Sequence, residues 1–303
     1  MSNQLELFRE NYLQDIFNSS DISNDFYENV FTEKYAKELE ESGEIDEEIE
    51  ISYWYETGIK INGYSYNEDE EILNFSRPFL IDVNDEYINS DKKVMIIGQE
   101  TYTWYGLYKD FLNEDDGIKR TQDIYRNFML DNKSNYNSPF WNFFNKLEEN
   151  SNASFICNNV YKLETIEYLE HPNKLGKKVG FSVLSKNKVY KHLIEKVKVF
   201  QKDILIKEIE ILKPDVVIFL TGHPYDSLFM DKQFNNIETF YQDINEATLL
   251  KIDKWKFGRF KNEYLPYNTY RTYHPNYLKI APENILTNEQ KNFIFNFLKK
   301  QVI

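Results

Sequence analysis

Apolar residues in this chain follow two spacings that alternate along its length. Short, nearly continuous runs at 93–98, 154–158 and 215–222 read as buried strands, and the more polar stretch Tyr267–Thr272 reads as a fourth. Between and after them the spacing becomes helical. Ser138-Pro139 reads as an N-cap with proline at the first helical position, followed by Phe140, Phe143, Phe144 and Leu147 on one face. Apolar residues at 193, 197, 200, 204, 205, 209 and 212 predict a long amphipathic helix stopped by Lys213-Pro214. Thr287 with Gln290 fits a capping box for a last helix through Phe293, Ile294, Phe297 and Leu298. Strands alternating with helices predict an α/β fold whose parallel sheet is covered on both faces. The expectation is a three-layer α/β/α domain over residues 93–303, around a central, mainly parallel four-stranded sheet.

Residues 1–92 pattern differently. Leu5, Phe8, Leu13, Ile16 and Phe17, then Phe26, Val30, Phe31, Tyr35 and Leu39, predict helices. Residues 38–50 carry eight carboxylates, and 51–66 are rich in tyrosine around two glycines, as short strands or a hairpin would be. The reading is an acidic, mostly helical extension packed on the main domain. The acidic run is a solvated face or linker, or else a surface for a protein partner.

Charge sharpens this division. The chain's formal net charge of −14 suggests a poor nucleic-acid binder, but residues 1–92 carry −18 and residues 93–303 carry +4. The body is mildly basic, most densely at Lys174, Lys177, Lys178, Lys186, Lys188, Lys191, Lys196 and Lys198. These could track phosphates or simply form a solvated face. A single cysteine, Cys157, excludes an intramolecular disulfide and a four-thiolate metal site. The four histidines have no metal-ligand spacing, and no metal or cofactor is expected. No signal-peptide pattern opens the sequence and no apolar run approaches a membrane span, so a soluble, cytoplasmic monomer is expected.

The polar residues at the strand ends carry the candidate chemistry. Gly98-Gln99-Glu100-Thr101-Tyr102 follows the first strand, Asn158 ends the second, Thr221 and His223 follow the third, and His274 follows the fourth. An open parallel sheet gathers its strand exits on one edge, where ligands bind. A carboxylate, amides and an imidazole there form a coherent set. Each also has an ordinary reading: Glu100 as a solvated loop carboxylate, Asn158 as a turn cap, His274 as a structural histidine. No nucleophile elbow or phosphate-binding glycine loop is present, which argues against a serine hydrolase or a P-loop NTPase.

In order and wording these segments resemble the uracil-DNA glycosylase superfamily over about residues 93–300. Gly98-Gln99-Glu100-Thr101-Tyr102 is similar to its Gly-Gln-Asp-Pro-Tyr-His motif, and Pro139-Phe140-Trp141-Asn142 to the Pro-Ser-Leu-x-Asn segment. Ile156-Cys157-Asn158-Asn159-Val160 is similar to the strand with the base-reading asparagine, and Val217–Gly222 to the penultimate strand. His274-Pro275-Asn276-Tyr277-Leu278 resembles the His-Pro-Ser-Pro-Leu loop that enters the minor groove.

The resemblance implies a monofunctional DNA glycosylase without cofactor, acting on a uracil or modified pyrimidine flipped from DNA. Glu100 would position water and stabilise the sugar cation, and His274 would donate to the departing base. Gln99, Asn158, Tyr102 and Phe128 (or Tyr125) would bind the base; Asn276, Tyr277 and Leu278 would contact DNA, with Leu278 filling the gap in the duplex. Glu100 for aspartate, Thr101 for proline, Thr103 for histidine and Asn276-Tyr277 for Ser-Pro are departures that favour a bulkier base than uracil. The alternatives are a non-catalytic nucleic-acid or nucleotide-binding module on the same fold, and a hydrolase of free nucleosides.

Overall fold

The computed structural model describes residues 74–99, 104, 111, 114, 117–162, 165–170, 178–182, 204–222, 225, 240–283 and 285–303. In chain order its elements are β1 (Asn74–Phe75), α1 (Asp85–Asn89), β2 (Lys93–Gly98), α2 (Gly117–Asn127), α3 (Pro139–Glu148), β3 (Ser154–Asn159), β4 (Thr165–Glu170), β5 (Lys178–Ser182), α4 (Ile204–Leu212), β6 (Val216–Phe219), β7 (Phe240–Gln242), α5 (Asn245–Leu249), β8 (Phe257–Lys261), β9 (Asn268–Thr272), α6 (Pro275–Ile280) and α7 (Asn288–Val302). A π-helical turn, Phe128–Asn132, and a 3-10 turn, Lys133–Asn135, continue α2.

The main sheet has the order β3-β2-β6-β9-β8-β7, and β1-β4-β5 form a separate antiparallel sheet. The four runs read as strands in the sequence are β2, β3, β6 and β9, and they pair in parallel. The expected count of four falls short, because β8 and β7 extend the sheet antiparallel beyond β9. Both are short, and Gly258 with Arg259 interrupts any alternation in β8, which hid it from a pattern search.

Helices cover both faces. In β3 the Phe155 ring meets Phe144 of α3 at 5.8 Å, whereas Asn158 bonds Glu208 of α4 at 2.8 Å. Side chains three apart on a strand point to opposite faces, so α3 and α4 lie on opposite sides of the sheet. Helix α7 joins α3 on its side: Phe295 meets Phe143 at 5.4 Å, and Phe297 meets Phe257 and Tyr270 at 5.4 Å each. The expected caps are present. Ser138 accepts from Trp141 N at 3.3 Å, and Thr287 and Gln290 exchange both bonds of a capping box.

At the outer edge, β3 is closed by a side chain. The buried Tyr125 hydroxyl donates to Cys157 O at 2.8 Å and accepts from Cys157 N at 3.2 Å, satisfying the strand that stands at the edge of the sheet among the described residues. Burial raises the Tyr125 phenol well above its usual range and pushes the Cys157 thiol up to about 12.

Residues 76–83, inside the stretch read as an extension, belong to this domain. Phe79, Leu80, Ile81 and Val83 are buried in the common core, Arg77 holds Glu114 at 2.6 Å, and Arg126 holds Asp82 at 2.6 Å. The readings made for residues 1–73, and for the helix before Ile204, lie outside the described residues. Among the described residues no helix is long and apolar enough to cross a membrane.

Candidate functional site

Because β2, β3, β6 and β9 are parallel, their carboxyl ends share one edge. Three hydrogen bonds knit that edge together. Gln99 Nε2 donates to Thr221 O at 2.7 Å, Val160 N to Gly98 O at 3.1 Å, and Gly222 N to Thr272 O at 3.0 Å. Gly222 has φ 76°, the left-handed region where a side chain is disfavoured, and it turns the chain off β6. Thr221 is buried, and its hydroxyl has no partner among the described residues.

Asn158 does not reach this edge as a free amide. It is fully buried, its Oδ1 accepts from Asn159 N at 2.7 Å and from Lys162 Nζ, and its Nδ2 donates to Glu208 at 2.8 Å. Lys162 and Glu208, both buried, pair at 2.5 Å. Burial pushes the Lys162 ammonium downward, and Glu208 opposes it. The amide read as base-binding is therefore spent inside the fold, on the α4 face.

Asn159 faces the α3 side and is half-buried. It pairs with Gly98 in the β2–β3 register and lies on the opposite face from Asn158. A Cβ on Gly98 would sit 2.6 Å from Asn159 Oδ1 and 3.2 Å from Phe140 Cε2. Glycine is required because these two side chains close over it. Phe140, in the first turn of α3, in turn stacks on His274, with ring centroids 6.2 Å apart and planes 17° apart.

His274 is the N-cap of α6, its Nδ1 accepting from Asn276 N at 3.2 Å. Burial lowers its pKa from the ordinary 6.5 to about 4. A neutral imidazole whose Nδ1 accepts a hydrogen bond carries its proton on Nε2. His274 thus presents an uncharged Nε2–H donor near neutral pH. Gly98, Asn159, Phe140 and His274 form one contiguous group at the sheet edge, with Gln99 beside them.

Other expected residues are elsewhere. Phe128 is a core ring, edge-on to Trp104, Tyr136 and Trp141 at 5.5, 5.1 and 4.8 Å, so it offers no stacking platform. Tyr125 is committed to β3. Leu278, read as the residue that fills a duplex gap, is 8 % exposed and packs into the core. The His274 cap sets the phase of α6 so that position 278 turns inward, while Asn276 is exposed and Tyr277 is 37 % exposed against Tyr273, 4.8 Å away. Glu100, Tyr102, Thr101, Thr103 and His223 lie outside the described residues, as do the basic-stretch lysines except the backbone of Lys178. No group of three or more metal-ligating side chains occurs among the described residues.

Sequence reasoning missed Asn159 and Phe140. The doublet Asn158-Asn159 could not show which amide is spent against α4, since that depends on which face of the sheet α4 covers. No protein-family model matches this chain, and no curated protein matches it.

Proposed function

We propose that this chain is a DNA glycosylase that hydrolyses the N-glycosidic bond of a pyrimidine, uracil or a modified relative, without a cofactor. The observation that carries the reading is the group at the carboxyl edge: His274, with its Nδ1 engaged by Asn276 N and its ring stacked on Phe140, and the Asn159 side chain, which closes over Gly98 together with Phe140. Its support in sequence is the five ordered segments that resemble the uracil-DNA glycosylase superfamily.

A departing pyrimidine takes the bonding electron pair, and much of the charge gathers on O2. A donor fixed at that oxygen lowers the barrier more than it stabilises the neutral base. His274 Nε2–H supplies it, and its low pKa keeps the donor uncharged and always available near neutral pH. Asn159 can accept from N3–H and donate to O4, which selects a uracil-type edge over cytosine. It replaces Asn158 in that role. Glu100, by its place directly after Gln99, is assigned to the attacking water and the developing sugar cation. The longer acid and the missing proline point to a base bulkier than uracil.

The test is release of free base from single- and double-stranded oligonucleotides carrying uracil, thymine or 5-substituted pyrimidines, read by chromatography. At least one is released, Asn159→Ala weakens that release, and the strand stays unbroken until the abasic site is cleaved by alkali. Binding without release from any substrate would replace this reading with a nucleic-acid-binding module, and cleavage confined to free nucleosides would replace it with a nucleoside hydrolase.

A further inference from the structure

At the same edge of the sheet, a three-residue turn holds out a tryptophan. Lys254-Trp255-Lys256 precedes β8, and because β8 runs antiparallel to β9 the turn lies at the end of β9 that leads into His274. All six backbone polar groups of the turn are bound by side chains. Asp243 accepts from Lys254 N at 3.2 Å, and one oxygen of Asp253 accepts from Trp255 N and Lys256 N at 2.9 and 3.2 Å. The Arg271 guanidinium donates to Trp255 O at 2.5 Å and Lys254 O at 3.1 Å, and the Thr272 hydroxyl donates to Lys256 O at 3.2 Å. Gly258 lets the turn sit this close, since a Cβ there would meet Lys254 O at 2.7 Å.

This bracing is out of proportion to a connecting turn. Arg271 is fully buried, and its guanidinium, a costly group to bury, donates to two of the turn's carbonyls. The product is a rigid backbone presenting an indole that is 46 % exposed, with the Lys254 ammonium 5.5 Å from its ring centre. Lys256 follows it in sequence, and Lys251 is exposed in the preceding turn. The two nearby aspartates are engaged by turn amides, and Lys256 keeps only a loose 3.8 Å contact with Asp253. A fixed aromatic beside an ammonium group, with further lysines close in sequence, suits a stacked base whose backbone phosphates are met by lysines. Its backbone is already ordered, so little entropy is lost when it binds.

We propose that the Lys254–Lys256 turn is a second nucleic-acid contact, in which Trp255 stacks on an unpaired base flanking the reacting nucleotide and the lysines meet adjacent phosphates. The inference rests on the glycosylase reading and adds a binding element outside the base pocket. It favours substrates with single-stranded character around the target.

The test is fluorescence anisotropy of a labelled oligothymidylate of about a dozen nucleotides, titrated with the full chain at several salt concentrations, with base release measured in parallel. Trp255→Ala should weaken binding by about 5- to 150-fold, the range for loss of one stacked base, without changing the salt dependence. Trp255→Phe should retain most of the affinity. Lys254→Ala/Lys256→Ala should flatten the slope of log affinity against log salt by about 0.7 for each phosphate that the lysines no longer neutralise. Should Trp255→Ala not fold, the phenylalanine and lysine variants decide the matter: an unchanged salt slope in the lysine variant overturns the proposal. If wild type binds the strand and releases base while Trp255→Ala binds as tightly, the turn is no nucleic-acid contact and the glycosylase reading stands. If wild type neither binds nor releases base, the glycosylase reading falls as well.

Discussion

Glu208→Ala should destabilise the fold by about 3–5 kcal/mol, the usual result of leaving one member of a buried ion pair without the other. Glu208 and Lys162 are both buried, 2.5 Å apart, and Asn158 joins them through its amide. Removing the carboxylate leaves an ammonium with Asn158 Oδ1 as its remaining partner in this network and deprives Asn158 Nδ2 of its acceptor. Lys162→Met/Glu208→Gln removes both charges and keeps an acceptor for Asn158, so it should be more stable than Glu208→Ala by about 2 kcal/mol or more. Denaturant unfolding followed by circular dichroism measures both. A Glu208→Ala midpoint equal to wild type would show that the pair is not a buried interaction. The network also bears on the site, because Asn158 Oδ1 accepts from the backbone N–H of Asn159 at 2.7 Å.

His274→Ala should lower the base-release rate by about 10²–10³-fold at saturating DNA, with a much smaller change in affinity. That range is the loss seen when one preorganised donor to a developing anion is removed. The split follows from the role assigned: a donor aimed at charge that appears only in the transition state acts on the rate, whereas a structural cap would act on stability and binding. Because α6 is capped by His274, His274→Asn provides the control. Asparagine is a good N-cap, so it should restore thermal stability without restoring the rate. Equal loss of melting temperature and rate in both variants would reduce His274 to a structural residue.

Much of the scaffold was legible in the sequence because it is encoded locally. Three of the four parallel strands, β2, β3 and β6, are short runs rich in Val, Ile and Phe, and the caps at Ser138 and Thr287 are motifs of three or four residues. The site was half legible. His274 and Gln99 sit at strand exits as expected, because parallel topology alone sends them there. Asn158 and Leu278 turn inward for one shared reason, which the sequence does not carry. Each lies next to a residue that faces the other way, and which neighbour turns in depends on tertiary packing: α4 with Glu208 in one case, the phase of α6 in the other. The Trp255 turn was invisible because its bracing comes from Asp243, Asp253, Arg271 and Thr272, two of them on a different strand.

The central claim is that His274 is a neutral imidazole offering Nε2–H at the edge of the sheet. The most direct measurement is nitrogen-detected NMR of the histidine rings from pH 8 to pH 4. The expected result is a His274 ring protonated on Nε2 with a pKa of about 4, pushed down by burial from 6.5. The linkage has a matching sign. Between these two values the unfolded chain binds the extra proton and the folded chain does not, so His274 subtracts stability as pH falls through that window and contributes no further change below it. The shift corresponds to about 3 kcal/mol of favoured neutrality. A His274 that titrates near 6.5, or that carries its neutral proton on Nδ1, would contradict the account.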